Sequence, residues 1–193
     1  MLTICPTPIG NLDDVSARQR GALQGASVIV CEDTRVTGKL LELLGIAKDE
    51  RPRLVSFHDH NPASKLAEIL EHARKENVVL VCDAGTPSIS DPGFELVRAA
   101  AREDIDVVSL PGPVAAMVGL VASGLPTDRF CFAGFLPSKS GPRREALEDL
   151  DGPTLVLYES PHRVVRLLDD VVHILGEQRP VYVGSELTKV HEE

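Results

Sequence analysis

The sequence predicts a mixed α/β protein of two domains, and three observations predict it. Short apolar runs alternate with amphipathic helical patterns over residues 1–110, the order that builds a mostly parallel sheet with helices on both faces. Two of these runs, SVIVC and VVLVC, are almost wholly apolar, as strands buried on both faces are. A Pro-Gly-Pro sequence then interrupts the pattern. We therefore expect an N-terminal α/β domain over residues 1–112 and a smaller mixed α/β domain over residues 113–193.

Local patterns predict the elements of the first domain. Asn61 followed by Pro62 is typical of a helix start, because Asn caps a helix and Pro suits its first position. Gly45 is typical of a helix end. We expect strands at 2–5, 27–31, 53–57, 78–82 and 106–110. We expect helices at 16–24, 36–44, onward from Pro62, and at 94–102.

The second domain continues the alternation of helices and strands. We expect helices at 114–123, 143–150 and 161–175, and strands at 130–134, 154–158 and 180–186. The sequence ends just after the last of these strands, so we expect this domain to be incomplete or to continue in a disordered tail.

Composition excludes several classes of protein. With 43% hydrophobic and 25% charged residues, the chain is neither disordered nor collagenous. A net charge of −9 disfavours loose binding to phosphate backbones, although a local basic patch is compatible with it. No apolar run approaches the length of a membrane span, and the four widely spaced cysteines resemble buried thiols of a reducing compartment. We expect a cytoplasmic protein with no metal site.

The loops that follow the predicted strands carry the candidate chemistry. Ligands of open parallel sheets bind at the carboxyl ends of the strands. The five loops there are rich in Gly, Pro, Asp and Thr, and they read PTPIGNLDD, EDTR, HDHN, DAGTPSISDPG and PGPVAA. No GxG pattern occurs, which excludes the usual dinucleotide and triphosphate loops. The loops suit a ligand with an amino-acid end and a ribose, but little phosphate.

These loops, with YESPHR further on, resemble one known family. PTPIGNLDD, CEDTR, SFHDHN, CDAGTPSISDPG, SLPGPVAAMVGLVASGLP and YESPHR, in that order, are similar to the S-adenosylmethionine-dependent tetrapyrrole-methylase superfamily. The resemblance is greatest to the branch that methylates the ribose 2′-oxygen of a cytidine in 16S ribosomal RNA. It implies a two-domain tetrapyrrole-methylase-like fold, with a folded S-adenosylmethionine in a cleft between the domains. It also implies a homodimer.

The resemblance implies a set of site residues. The residues implied at the cofactor are Ile9, Gly10, Asp83, Ala84, Gly85, Ile89, Val114, Ala115, Tyr158 and Glu159. The catalytic candidates are Glu32, Asp33, Arg35 and His58, with Glu159 as a further candidate base. RNA phosphates need positive groups. The best local basic cluster is Lys139, Arg143 and Arg144, and Arg163 and Arg166 come next.

Simpler structural roles remain open for several of these residues. Asp33 or Thr34 could cap the following helix while Arg35 pairs with Glu32, and Asp91 or Ser90 could cap the helix after DAGTPSISDPG. The basic residues at 139–144 could be a solvated helix start. Two other functions also remain open. One is methylation of a tetrapyrrole or another non-RNA substrate, and the other is a catalytically silent cofactor-binding module.

Overall fold

The computed structural model describes residues 1–58, 63–150 and 152–193. It divides into two compact units, Met1–Val114 and Ala115–Glu193. The helix cap predicted at Asn61 lies outside the described residues. Each unit has its own apolar core.

The first unit is built on a five-stranded sheet in which every described pair of neighbouring strands is parallel. The strands are β1 (Leu2–Ile4), β2 (Val28–Cys31), β3 (Arg53–Ser56), β4 (Val78–Leu80) and β5 (Val107–Ser109). Their order across the sheet is β3-β2-β4-β1-β5. All four residues of β2 are buried, which explains the continuous apolar run that predicted it.

Helices cover both faces of this sheet, as the sequence predicted. They are α1 (Ala17–Gln24), α2 (Thr34–Leu43), α3 (Ala63–Lys75) and α4 (Phe94–Arg102). Successive side chains of a strand point to opposite faces, and β2 divides accordingly. Val28 and Val30 join the core cluster that contains residues of α3 and α4, whereas Ile29 and Cys31 join the cluster that contains residues of α1 and α2.

The strand order places a topological switch point between β1 and β4. From β1 the chain crosses β4 to reach β2, with α1 on one face of the sheet. From β4 it crosses β1 in the opposite direction to reach β5, with α4 on the other face. The two loops therefore leave the carboxyl edge towards opposite faces and open a crevice between them. In doubly wound sheets this is where ligands bind.

The second unit contains a two-stranded parallel sheet and three helices. The strands are β6 (Phe130–Phe135) and β7 (Thr154–Tyr158), and the helices are α5 (Ala115–Ala122), α6 (Ser140–Glu148) and α7 (Val164–Leu175). Leu136, Leu147 and Leu167 form the centre of its core. Both bounds of α6 and the first bound of α7 differ from the sequence prediction by two to three residues, as helix ends commonly do.

The strand predicted at 180–186 is wrong. This segment is irregular, and Val181 and Val183 are exposed. Its β-branched and aromatic residues favour a strand, but a strand also needs a neighbour to pair with. Among the described residues β7 pairs with β6 alone. Local preference was therefore not sufficient here.

Two further findings concern membrane spans and thiols. In the described part of the chain, no helix has both the length and the apolar composition to cross a lipid bilayer. All four cysteines are free, and Cys5, Cys31 and Cys82 are buried. Burial raises the pKa of the Cys5 thiol to about 12. That thiol is therefore protonated at neutral pH, and Cys5 packs in the core as an apolar side chain.

Candidate functional site at the carboxyl edge of the parallel sheet

The loops after β1 and β4 are joined directly at the switch point. The Thr7 N–H donates to the Gly85 carbonyl at 2.8 Å, and the Gly85 N–H donates back to the Thr7 carbonyl at 3.0 Å. The Thr7 hydroxyl donates to the Cys82 carbonyl at 3.0 Å, and Thr7 is buried. These bonds give the two loops one fixed relative position at the mouth of the crevice.

Gly85 is required at this junction. Its φ of +87° lies in the left-handed region that side chains disfavour. A Cβ atom there would lie 3.4 Å from Cγ2 of Ile9 and 3.6 Å from the carbonyl oxygen of Pro113. The Thr86 hydroxyl donates to that same Pro113 carbonyl at 2.8 Å. The loop after β5 is thereby attached to the other two.

The predicted cofactor residues of the first unit lie on these joined loops. Ile9 and Gly10 follow β1, whereas Asp83, Ala84, Gly85 and Ile89 follow β4. Asp83, Ala84 and Ile89 are exposed, so their surfaces are available to a ligand, whereas Gly85 is buried beneath them. Val114 ends the loop after β5. Whether these residues bind the cofactor remains a prediction.

The rim around these loops is acidic. The backbone N–H of Asp33 donates to Oδ1 of Asp83 at 3.2 Å, which brings the loops after β2 and β4 together. Burial raises the pKa of Asp91, and the nearby charges of Glu32 and Asp83 raise it further. Like charges at this spacing destabilise one another. A cationic ligand group placed here would relieve that repulsion.

Asp33 and Arg35 form a pair within the first turn of α2. The Asp33 carboxylate accepts from the Arg35 backbone N–H at 2.8 Å, so Asp33 caps the helix. The Arg35 guanidinium lies 2.6 Å from the same carboxylate. Of the two structural alternatives, the cap is therefore confirmed for Asp33, but Arg35 pairs with Asp33 rather than with Glu32. The hydrogen bonds from Arg35 lower the pKa of Asp33 to about 2.

His58 lies just beyond the carboxyl end of β3. Its Nε2 is 3.2 Å from the hydroxyl oxygen of Ser56, and that hydroxyl donates to the Glu32 carbonyl at 3.2 Å. A hydroxyl has one hydrogen, so both contacts are satisfied together when His58 carries its proton on Nε2.

The cap position of α4 is occupied by Gly93, and not by Asp91 or Ser90. The φ of Gly93 is +126°, in the region that favours glycine. Ser88 and Ser90 also have positive φ values. Residues other than Gly, Asn and Asp seldom adopt a positive φ, and such residues are concentrated at functional sites. The backbone of this loop therefore favours a ligand-binding role over that of a simple connection to α4.

In the second unit, Tyr158 and Glu159 already have partners. The Tyr158 hydroxyl accepts from the backbone N–H of Ala116 at 3.1 Å, which ties the end of β7 to the first turn of α5. The Glu159 side chain is only 4% exposed, and one of its oxygens lies 2.6 Å from the Arg163 guanidinium. Its other oxygen is buried without a partner. The predicted roles of Ala115, Tyr158 and Glu159 at the cofactor remain predictions.

The structure contradicts the RNA-binding role predicted for Arg143. Its side chain is 2% exposed and its guanidinium lies 2.5 Å from the buried Asp170 carboxylate. It also donates to the carbonyls of Ser138 and Arg166. An arginine held in this way fixes α6 to α7 and has no surface to offer a phosphate. Sequence alone could not show this, because Asp170 lies 27 residues further along the chain.

The other basic candidates are more accessible. Lys139 is exposed directly before α6. Arg144 is 39% exposed although it also bonds Asp170 at 2.5 Å. Arg163 is 32% exposed and pairs with Glu159. Lys139 is therefore the candidate best placed to contact a phosphate.

A cavity of about 410 Å³ also opens inside the second unit. β7, α7 and the irregular segment 179–184 form its walls, and apolar side chains dominate its lining. It shares Glu159 with the predicted site. In the described part of the chain no cluster of three or more His, Cys, Asp and Glu side chains is arranged to hold a metal ion.

Comparison with known proteins points to one family. A family model described as tetrapyrrole (corrin/porphyrin) methylases matches residues 1–193. A curated relative from Escherichia coli O157:H7, named ribosomal RNA small subunit methyltransferase I, is 49% identical over 99% of this chain and 66% of its own length. The relative of the same name from Synechocystis is 44% identical over 100% of this chain and 69% of its own. The chain thus spans about two thirds of the length of these relatives.

Solved structures share the fold at lower identity. Cobalt precorrin-4 methyltransferase matches with a TM-score of 0.68 and 18% identity, over 100% of this chain and 82% of that one. Uroporphyrin-III C-methyltransferase from Thermus thermophilus, complexed with S-adenyl homocysteine, matches with a TM-score of 0.62 and 19% identity, over 100% of this chain and 85% of that one. The mixed α/β architecture predicted from the sequence is that of these enzymes.

Proposed function

Because the chain belongs to the tetrapyrrole methylase family, we propose that it binds S-adenosylmethionine and methylates the ribose 2′-oxygen of a cytidine in small-subunit ribosomal RNA. One observation of the structure carries the proposal: the loops after β1, β4 and β5 are hydrogen-bonded into one rim at the switch point of the sheet. The relatives at 43–49% identity, all with the same printed name, support the RNA substrate.

The residues of this rim fit the methyl donor. S-adenosylmethionine carries positive charge on its sulfonium and its amino group, and the rim presents the carboxylates of Glu32, Asp83 and Asp91. Exposed Asp83 is the best partner for the amino group. Gly85, with its positive φ beside Ile9, lets the loop after β4 keep the turn that joins it to Thr7 and so presents Asp83 at the rim.

When bound, S-adenosylmethionine supplies an electrophilic methyl group. The protein therefore has three tasks: to align the ribose oxygen with the S–CH₃ bond, to exclude water and to accept a proton. Alignment of the two reactants can supply up to about 7–11 kcal/mol of the barrier. The hydrogen bonds between Thr7 and Gly85, and from Thr86 to Pro113, fix the loops in advance and so serve this alignment.

Glu32 and His58 are the proposed bases of the first unit. A ribose hydroxyl is very weakly acidic, so its proton leaves during or after methyl transfer. A base with a pKa near the working pH is the most effective. Asp33 is the weakest of the candidates, because Arg35 lowers its pKa to about 2. In this proposal Asp33 and Arg35 shape the start of α2.

Three finer proposals accompany the reaction. Lys139, with Arg144 and Arg163, contacts the phosphates of the RNA, the chain acts as a homodimer, and it works in the cytoplasm. Light scattering at micromolar concentration tests the homodimer. One chain has a mass of 20.8 kDa, and a dimer should show twice that mass.

Methyl transfer tests the main proposal. The chain is incubated with radiolabelled S-adenosylmethionine and, separately, with small ribosomal subunits that lack the modification and with a tetrapyrrole. We expect label in the RNA and, after nuclease digestion, in a 2′-O-methylcytidine. Label in the tetrapyrrole instead would favour the second function. Binding of S-adenosylhomocysteine without transfer to either substrate would favour a silent cofactor-binding module.

A further inference from the structure

Gln19 is the most buried polar side chain of α1, with 2% of its surface exposed. Its carboxamide oxygen accepts from the Ser16 backbone N–H at 2.6 Å, and the backbone N–H of Gln19 donates to the Ser16 hydroxyl at 3.2 Å. This is a capping box, which starts the helix. The cap uses only the oxygen of the carboxamide.

The nitrogen of the same carboxamide makes two other contacts. Nε2 donates to the Pro6 carbonyl at 3.3 Å and to the Pro111 carbonyl at 3.4 Å. Pro6 belongs to the loop after β1 and Pro111 to the loop after β5. An amide nitrogen has two donor hydrogens, which is enough for both carbonyls. Helix capping does not require either bond.

Gly112 shows how tightly the two loops meet around Gln19. A Cβ atom at Gly112 would lie 2.3 Å from Cβ of Pro6 and 2.7 Å from Nε2 of Gln19. Real side chains do not tolerate such distances, so the two loops pack in direct contact here. The separation of the loops is therefore set at this point.

We propose that Gln19 is a positioning residue for the methyl-donor site: its carboxamide nitrogen holds the loops after β1 and β5 at the spacing that the donor requires. The inference rests on the proposed function and adds a residue to it. Gln19 touches no reacting atom and acts through the Pro6 and Pro111 carbonyls. Loss of its two donor hydrogens loosens both loops, so the donor must pay to order them when it binds.

Three variants separate positioning from capping. Gln19→Glu keeps the acceptor that a capping box needs but loses both donor hydrogens when ionised. Gln19→Met keeps the approximate shape of the side chain and removes its polar atoms. Ser16→Ala removes the hydroxyl of the cap and leaves the Gln19 nitrogen in place. All three are measured beside the unchanged chain, by calorimetry with S-adenosylhomocysteine well below the melting temperature.

We expect both Gln19 variants to weaken S-adenosylhomocysteine binding by about tenfold, the effect of a buried hydrogen bond of average strength. Ser16→Ala should change the affinity by less than about twofold and lower only the melting temperature. Without ligand, amide hydrogen exchange at the residues of the two loops that are not proline should be faster in the Gln19 variants than in Ser16→Ala. These residues are Thr7, Ile9, Gly10, Gly112 and Val114. A structural cap alone would not produce this pattern.

The possible failures are distinguishable. If the unchanged chain binds S-adenosylhomocysteine and the Gln19 variants bind it equally well, the positioning role is overturned while the proposed function stands. An equal loss in Ser16→Ala and Gln19→Glu would also overturn it, because the cap alone would then explain the effect. If the unchanged chain binds no S-adenosylhomocysteine, the proposed function itself fails, and the site that Gln19 would position fails with it.

Discussion

Arg143 and Asp170 form a buried ion pair that joins α6 to α7, with 2% and 3% of their side chains exposed. The carboxylate also accepts from the Ser140 hydroxyl at 2.8 Å and from Arg144 at 2.5 Å. Every donor of this cluster comes from the first turns of α6 and its acceptor from the middle of α7. The pair thus stabilises the packing of α6 on α7 within the second unit. It lies in a segment whose basic residues predict a surface for binding RNA phosphates.

Asp170→Ala should destabilise the second unit strongly. Removal of one partner leaves the Arg143 charge buried and unpaired, which typically costs about 3–5 kcal/mol. The chain has no tryptophan and two tyrosines, Tyr158 and Tyr182, which both lie in the second unit. Tyrosine fluorescence during urea unfolding therefore follows this unit. Asp169→Ala, at the exposed neighbouring position, is the matched control and should lie within about 0.5 kcal/mol of the unchanged chain.

The same cluster predicts a loss of stability in acid. Burial raises the pKa of Asp170, but hydrogen bonds from Arg144, Ser140 and Arg143 outweigh burial and lower it to about 2. In the unfolded chain the pKa is about 3.9. The stabilisation is therefore complete above about pH 4 and is lost as the pH falls towards about 2. Urea unfolding at several pH values, followed by tyrosine fluorescence, should show the free energy of unfolding falling between about pH 4 and about pH 2. The fall should be smaller in Asp170→Asn. An equal fall in both proteins would contradict the assignment.

Gly112→Ala should damage the first unit where Gly21→Ala does not. The new methyl group would meet Pro6 and Gln19 at impossible distances, and overpacking of this kind costs about 1–3 kcal/mol. Gly21, in the middle of α1, has no atom within 4 Å of the corresponding position. Alanine there should be stabilising by about 0.5–1 kcal/mol. Thermal unfolding monitored by circular dichroism measures the melting temperature of both variants. We expect it to fall in Gly112→Ala and to rise in Gly21→Ala.

Asp83→Ala should weaken S-adenosylhomocysteine binding by about tenfold through loss of a charged contact. Calorimetry measures the affinity directly. The control is Asp49→Ala, because Asp49 is an exposed aspartate just before β3 and therefore lies towards the opposite edge of the sheet. Unchanged affinity in Asp83→Ala would remove this residue from the site.

Lys139→Glu should reduce methylation of small ribosomal subunits and leave S-adenosylhomocysteine affinity unchanged. Loss of one phosphate contact also makes the slope of log binding constant against log salt concentration shallower by about 1. Filter binding at several salt concentrations measures this slope. Lys75→Glu, at the exposed end of α3, serves as a charge-matched control. An equal loss in both variants would indicate a general charge effect rather than a contact at Lys139.

The sequence by itself determined the order of helices and strands in the first unit, the two faces of its sheet and the family. Apolar runs such as SVIVC identify buried strands because the pattern is local, and the loop motifs stand at the strand ends where ligands bind. The glycine in DAGTPS marks a position where the chain needs a positive φ. These are properties of short stretches of chain, which a sequence displays directly.

Only the tertiary structure decided which partner each polar side chain has. Arg143 and Lys139 look alike in the sequence, but one is buried on Asp170 and the other is exposed. Gln19 carries no signal beyond a helix cap, since its carbonyl partner at Pro111 lies 92 residues away. The segment 180–186 has the composition of a strand and forms none. In each case the deciding contact is between residues far apart in the chain, and local preference contains no information about it.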